Sequence, residues 1–198
     1  MLAVPAWRAY DAFAARAEAK AQGWTVNYFG PFETIQRNWK FAFRISTWTV
    51  GGVKVNIPTG KSLEQNRSLL DRLKPNYLSV ADSQPLRDLT PLNGLSGLES
   101  VHIMNGSSLT SLGDLRNLTS LQGFMLFYGT RLTNVDELKE LPKLNSIYLV
   151  ICTGLTNVDG LKGLTSLRTV ALCGCNGLTK ETVAALQATL PNTRIAPP

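Results

Sequence analysis

The sequence predicts an α/β fold built from stacked, near-identical units, and three observations carry that expectation. First, one pattern, L-x-x-[LVIF]-x-[LI]-x-x-[GC]-x-x-L, starts at Leu98, Leu121, Leu144 and Leu167, each 23 residues after the last. Second, two apolar positions inside the pattern fall two residues apart, which sets both on one face of a short strand. These are Val101 and Ile103, Phe124 and Leu126, Ile147 and Leu149, then Val170 and Leu172. Third, apolar residues recur every third position ahead of each strand: Leu89, Leu92, Leu95; Leu112, Leu115, Leu118; Val135, Leu138, Leu141; Val158, Leu161, Leu164. A period of three suits a 3₁₀-like connection better than an α-helix. Units of this kind cannot bury their apolar face alone, so they stack into one continuous core.

A period in the 20–29 range with these leucines resembles the leucine-rich-repeat proteins, in particular bacterial internalin-like arrays and relatives with a Cys in the repeat. The resemblance implies a right-handed leucine-rich-repeat solenoid with a parallel sheet on its concave face and an α+β N-terminal cap. It implies residues 1–50 as a helix and aromatic-rich cap and residues 51–198 as the array. Within the array the clear repeats span 88–178, and 179–198 close the C-terminal end.

Taken in order, Pro5 to Gln22 is rich in Ala, Arg, Glu and Lys and stops at Gly23, which predicts a helix. Its apolar stripe reads Trp7, Tyr10, Phe13, Ala14 and Ala17. Trp24 to Tyr28 alternates like a strand, and Phe29-Gly30-Pro31 reads as a turn. Trp39 to Ile45 alternates again, with a helix over Phe32 to Arg44 as the other reading. All four tryptophans and 11 of the 16 aromatics precede residue 49, as a cap over an exposed apolar end would require. Val53 to Ile57 follows Gly51-Gly52 as a further strand.

Stepping back by 23 puts Val55/Ile57 and Leu78/Val80 at the inward positions; stepping forward puts Thr193/Ile195 there. The count is then seven rungs. Ser62 to Leu73 predicts an α-helix with Ser62-x-x-Gln65 as a capping box, and Thr179 to Leu190 predicts another.

Several residues invite a chemical reading. Thr59-Gly60-Lys61-Ser62 imitates the end of a phosphate-binding loop, but Val55 stands where that motif needs Gly, so a turn is expected. Cys152 and Cys175 share a column with Gly106 and Gly129 and are expected as buried thiols, with a disulfide as the alternative. Cys173 should face outward, and no second Cys pair or nearby His supports a metal site. His102, the only histidine, sits at an outward strand position with no partner fixed by a motif, and is expected as a contact residue. Thr110, Thr133, Thr156 and Thr179 form a column expected to bond into the turns.

No catalytic constellation, cofactor site or metal site is expected. The outward positions instead gather Tyr77, His102, Met104, Met125, Phe127, Tyr148 and Val150, with Tyr128 and Ile151 just past the strands. Met and aromatic residues with almost no charge are the usual composition of a protein-contact surface. The expected function is therefore a non-enzymatic module that binds an unknown protein or peptide.

The rival expectation is an extramembrane tethering segment. Residues 1–74 hold 11 Lys/Arg against 5 Asp/Glu, while residues 75–198 hold 9 of each. That basic region, and a start (Met1 to Arg8) like the tail of a membrane span, admit membrane proximity and an extracytoplasmic location for a chain whose upstream span has been removed. Nucleic-acid binding is not expected, since no run of Lys/Arg or reader motif is present.

Overall fold

The architecture is taken from a computed structural model that describes residues 6–29, 52–57, 63–81 and 86–198. The fold is α/β with a single eight-stranded sheet whose strands lie in sequence order. Helix α1 (Ala6–Ala21) leads into β1 (Thr25–Phe29), which pairs antiparallel with β2 (Gly52–Ile57). From β2 onward every pairing is parallel: β3 (Tyr77–Val80), β4 (Ser100–Ile103), β5 (Gly123–Phe127), β6 (Ser146–Val150), β7 (Thr169–Ala171) and β8 (Arg194–Ala196). Two further helices, α2 (Arg67–Leu73) and α3 (Lys180–Thr189), lie in the second and last connections.

The 23-residue period is the pairing register itself. Val55 faces Leu78, Leu78 faces Val101, Val101 faces Phe124, Phe124 faces Ile147 and Ile147 faces Val170. All of these side chains are buried, as are Ile57, Val80, Ile103, Leu126, Leu149 and Leu172. The two rungs read back from Leu98 are therefore present, and the parallel strands number seven.

Forward extrapolation fails by two residues. Val170 faces Ile195 instead of Thr193, so the last offset is 25. The reason lies in the connection, where the ten-residue α-helix α3 replaces a 3₁₀ run. An α-helix rises ~1.5 Å per residue against ~2.0 Å for a 3₁₀-helix, so spanning a similar distance takes more residues. An even slip preserves side-chain parity. Ile195 still packs on the core, and the buried Thr193 hydroxyl donates to the Leu167 carbonyl at 2.8 Å.

The connections follow the three-residue period. N–H groups reach back three residues along Leu89, Leu92, Leu95 and Leu98 at 2.8–3.1 Å, and the same chain runs along Val135, Leu138, Leu141 and Leu144 at 3.0–3.2 Å. Short 3₁₀ turns occupy Thr90–Leu92, Asp136–Glu140 and Asp159–Leu161. A polar column missed in the sequence caps these turns. Asp88, Asn134 and Asn157 each accept the N–H two residues ahead through Oδ1, and the Ser111 hydroxyl does the same for Gly113. Its 23-residue spacing was readable as Asp, Ser, Asn, Asn. The Thr column behaves as expected at Thr110 and Thr156, whose hydroxyls donate to the Arg87 and Thr133 carbonyls, and Thr179 caps α3.

Two helix expectations change. Helix α2 begins at Arg67, with Asn66 at its N-cap and no side-chain cap bond, and residues 63–66 form a turn; Ser62 of the expected capping box lies outside the described residues. Leu63, Leu69, Leu70 and Leu73 are buried all the same. Among the described side chains of α1, Ala15 and Ala19 are buried, Ala14 is half-buried and Ala17 is exposed. The helix is turned so that this i, i+4 pair meets α2 and β1, and Arg72 of α2 contacts Glu18 at 2.6 Å. The Trp7–Phe13 stripe, the 29–31 turn, the 39–45 strand and the Thr59–Ser62 turn fall on side chains or segments outside the described residues.

The register makes a direct prediction about thiols. Cys152 and Cys175 are free and buried, while Cys173 is half-buried. A maleimide reagent should modify Cys173 in the native protein and reach the other two only on unfolding. Mass spectrometry of labelled peptides checks this; fast native labelling of Cys152 contradicts the register.

Candidate functional site

The outward face of the sheet carries three columns set by strand alternation. The first reads Lys54, Tyr77, Ser100, Gly123, Ser146, Thr169 and Arg194. The second reads Asn56, Ser79, His102, Met125, Tyr148, Ala171 and Ala196. The third, near the strand ends, continues through Met104, Phe127, Val150 and Cys173. Polarity therefore falls from the start of the strands to their ends.

Neighbouring strands stand only ~4.8 Å apart, so large outward side chains cover small ones beside them. That changes the surface expected from sequence. His102 and Met125 are each 8% exposed and face one another across β4 and β5. Tyr77, Phe127, Tyr148 and Val150 are half-buried. Among the described residues the large hydrophobics that stay exposed are Met104, Tyr128 and Ile151, at 37%, 47% and 37%. His102 and Met125, expected on the open contact surface, are therefore largely covered by their neighbours.

His102 instead belongs to a polar cluster. The Tyr77 hydroxyl bonds His102 Nδ1, and the two rings meet edge to face with centroids 4.5 Å apart. Ser100 Oγ lies 3.2 Å from His102 Nε2. The Lys54 ammonium sits 4.3 Å above the Tyr77 ring, a cation–π contact. The Ser100 partner was legible, since residues two apart in a strand share a face.

Burial, then the nearby Lys54 charge, push the His102 pKa down to about 4, so the ring is neutral at pH 7. Burial raises the Tyr77 phenol, keeping it protonated, and lowers Lys54. The arrangement that satisfies these groups has Tyr77 donating to Nδ1 and Nε2–H donating to the Ser100 hydroxyl. In that tautomer the imidazole offers Ser100 no base, so the trio orients side chains rather than activating a nucleophile.

The strand ends hold a different feature. Tyr128 and Ile151, one residue beyond β5 and β6, both have φ near +58°. The equivalent residue of the next rung is Gly174, at φ +73°. A left-handed conformation is natural for glycine but is a clear outlier for a β-branched residue such as Ile. The backbone is nonetheless held by Tyr128 N–H to Val150 O at 2.9 Å and Ile151 N–H to Cys173 O at 2.8 Å.

The cysteine column is structural. The Cys175 thiol donates to the Leu149 carbonyl at 3.3 Å, and Cys152 points to the Leu126 and Val150 carbonyls at 3.9 and 3.8 Å. Its hydrogen bond with Cys175, then burial, push the Cys152 thiol up. A Cβ on Gly106 would lie 2.3 Å from Leu126 Cδ1, so a side chain there requires that leucine to shift.

Among the described residues no cluster of His, Cys, Asp or Glu could hold a metal ion, and no helix is long and apolar enough to cross a membrane. No protein-family model matches the chain, and no curated protein matches it.

Two outcomes follow. His102 titrates lower folded than unfolded, so its contribution is full above pH ~6.5 and is lost as pH falls toward 4, by up to ~3 kcal/mol. Urea unfolding at pH 6.5 and pH 5 should show the loss in the native protein and a flatter response in His102→Gln. For the strained loop, Ile151→Gly should stay within ~1 kcal/mol of the native stability because relief of strain offsets the lost side chain. Leu149→Ala, two residues away in the core, should cost ~2–5 kcal/mol in the same assay.

Proposed function

We propose that this chain is a non-enzymatic binding module of the leucine-rich-repeat kind, a right-handed solenoid that holds a peptide or protein segment on the concave face of its sheet. The reading covers residues 51–198 as the array and the preceding region as its cap. The observation that carries it is the pair Tyr128 and Ile151. Each keeps a left-handed backbone costing ~1–3 kcal/mol for a residue other than glycine, and each leaves a large apolar side chain partly exposed, at 47% and 37%. Neither feature helps the fold, since Gly174 fills the equivalent place without strain. Strain and exposure together are what a contact residue shows before its partner arrives.

The half-buried Tyr77, Phe127, Tyr148 and Val150 extend this surface, and His102 and Met125 support it from below. The polar trio around His102 adds no argument for catalysis in the tautomer its partners favour.

Selection of a peptide display library on the protein tests the reading. Enrichment should occur on the native chain and vanish on a Met104→Asp, Tyr128→Asp, Ile151→Asp variant whose circular dichroism spectrum and thiol labelling are unchanged. Met125 is left unchanged, because its burial would make its loss a folding defect. Equal enrichment on both proteins places the binding elsewhere.

A further inference from the structure

The rim where the strands begin lies at the opposite end of the sheet from Met104, Tyr128 and Ile151, and what it binds is independent of what docks there. The residues just before β3 to β7 form a 23-residue column of Asn76, Glu99, Gln122, Asn145 and Arg168. Along its first part the side chains satisfy one another. Asn76 Oδ1 accepts the Val53 N–H at 3.1 Å, and Asn76 Nδ2 donates to Glu99 Oε1 at 3.3 Å. Along its last part they do not. Among the described residues the Gln122 and Asn145 amides and the Arg168 guanidinium make no side-chain hydrogen bond or ion pair, and neither does the Lys143 ammonium.

These four side chains, with Pro142 and Ser166, line one cavity of about 370 Å³. That volume falls in the ~300–1,000 Å³ range of small-molecule sites. Its walls come from the segments entering three successive strands, β5, β6 and β7. The backbone there is fixed. The Gln122 carbonyl accepts the N–H groups of Asn145 and Ser146, and the Asn145 carbonyl those of Arg168 and Thr169, at 2.8–3.2 Å. A ligand therefore meets side chains already spaced by the rungs, ~4.8 Å apart.

Charge selects the ligand. From Leu141 to Thr169 the charged residues are Lys143, Asp159, Lys162 and Arg168. Asp159, the acid among them, is held by Lys162 at 2.6 Å. Two cations remain around one cavity, and like charges held close together on neighbouring rungs cost stability. Glu99 stands three rungs from Arg168, ~14 Å away, beyond the ~8 Å screening length at physiological salt. Glu140, three residues before Lys143, makes no ion pair with it among the described residues, and its charge acts on Arg116.

A dianion placed between Lys143 and Arg168 removes that repulsion. A guanidinium presents parallel N–H groups to a phosphate, and an ammonium supplies a point charge. The Ser166 hydroxyl already donates to the Pro142 carbonyl at 3.0 Å, so toward a ligand it acts as an acceptor. With the two amide oxygens it serves hydroxyl or N–H groups beyond the phosphate. No aromatic ring lines the cavity for a nucleobase to stack on.

We propose that this rim cavity binds a phosphate monoester dianion, with Lys143 and Arg168 holding the phosphate and Gln122, Asn145 and Ser166 meeting the group that carries it.

Titration of the isotope-labelled native chain, followed by NMR at the side-chain amides of Gln122 and Asn145, tests this with glycerol phosphate, a phosphoserine peptide and inorganic phosphate. Both amides should shift with at least one ester, at a midpoint several-fold below that of inorganic phosphate. The ester with the lower midpoint tells a free small molecule from a phosphorylated partner. In a Lys143→Glu, Arg168→Glu variant that midpoint should rise at least about tenfold. Both side chains are exposed, so the fold should survive, and unchanged thiol labelling checks it. An Arg87→Glu, Arg131→Glu variant makes the same change in net charge at other exposed positions and should stay within about twofold of the native midpoint. Equal losses in the two variants, equal midpoints for inorganic phosphate and the esters, or no shift at either amide overturns the proposal.

Discussion

Backbone hydrogen bonding between consecutive rungs is the constraint on which the rest of this structure depends. Every buried N–H and C=O must find a partner, and around the strands they find it on the next rung, 22 to 24 residues away. The pattern extends past the strands. The carbonyls of Asn76, Glu99, Gln122 and Asn145 each accept two N–H groups from the next rung, at 2.7–3.2 Å. Only the Arg168 carbonyl receives one, from Arg194, at the place where the register slips to 25. A single insertion in the middle of the stack would misalign donors and acceptors on both sides, so the period is held without exception from β2 to β7.

That ladder brings backbones close together, and the side chains that would obstruct it are absent. A Cβ on Gly154 would sit 2.3 Å from the Thr130 carbonyl oxygen, and one on Gly177, 23 residues later, 2.4 Å from Leu155 O. The small-residue column at Gly106, Gly129, Cys152 and Cys175 is limited instead by a side chain, since a Cβ on Gly106 or Gly129 would lie 2.3 or 2.7 Å from Leu126. Each of its carbonyls accepts the N–H of the leucine three residues on, at 2.9–3.2 Å. Cysteine is admitted where its sulfur can replace a leucine contact and reach a carbonyl of the preceding rung. Glycine and cysteine are thus interchangeable here for steric reasons, with no need of redox chemistry.

Much of this was legible because the sequence repeats it. Period two gave the inward pairs, period three gave the 3₁₀ connections, and period 23 gave the register back to Val55. Legibility ended where a residue's setting depends on its neighbours in space. His102 and Met125 occupy outward positions, yet adjacent rungs cover them, a matter of side-chain size on the flanking strands rather than of parity. The place of Ala17 on α1 and the start of α2 were misread for a related reason. Helical spacing says that a stripe exists but leaves the neighbouring elements to fix which residues it presents. The two-residue slip at β8 came from helix rise, a quantity that a count of residues does not contain.

The same reasoning separates the parts of the outward face that serve the stack from those that do not. The Lys54, Tyr77, His102 and Ser100 cluster is internally satisfied: each polar group has a partner, and the imidazole stays neutral because burial, then the Lys54 charge, disfavours its charged form. Removing a partner there would leave a buried polar group unpaired, which is how a structural network announces itself. Tyr128 and Ile151 behave in the opposite way. Their backbone groups are paired, so the left-handed turn is enforced by the ladder, while their side chains stay 47% and 37% exposed. Glycine at 174 shows that the turn itself makes no demand for a side chain. A residue that the fold tolerates without needing is best explained by something outside the fold, and both such residues lie beside Met104 on the least polar column of the sheet.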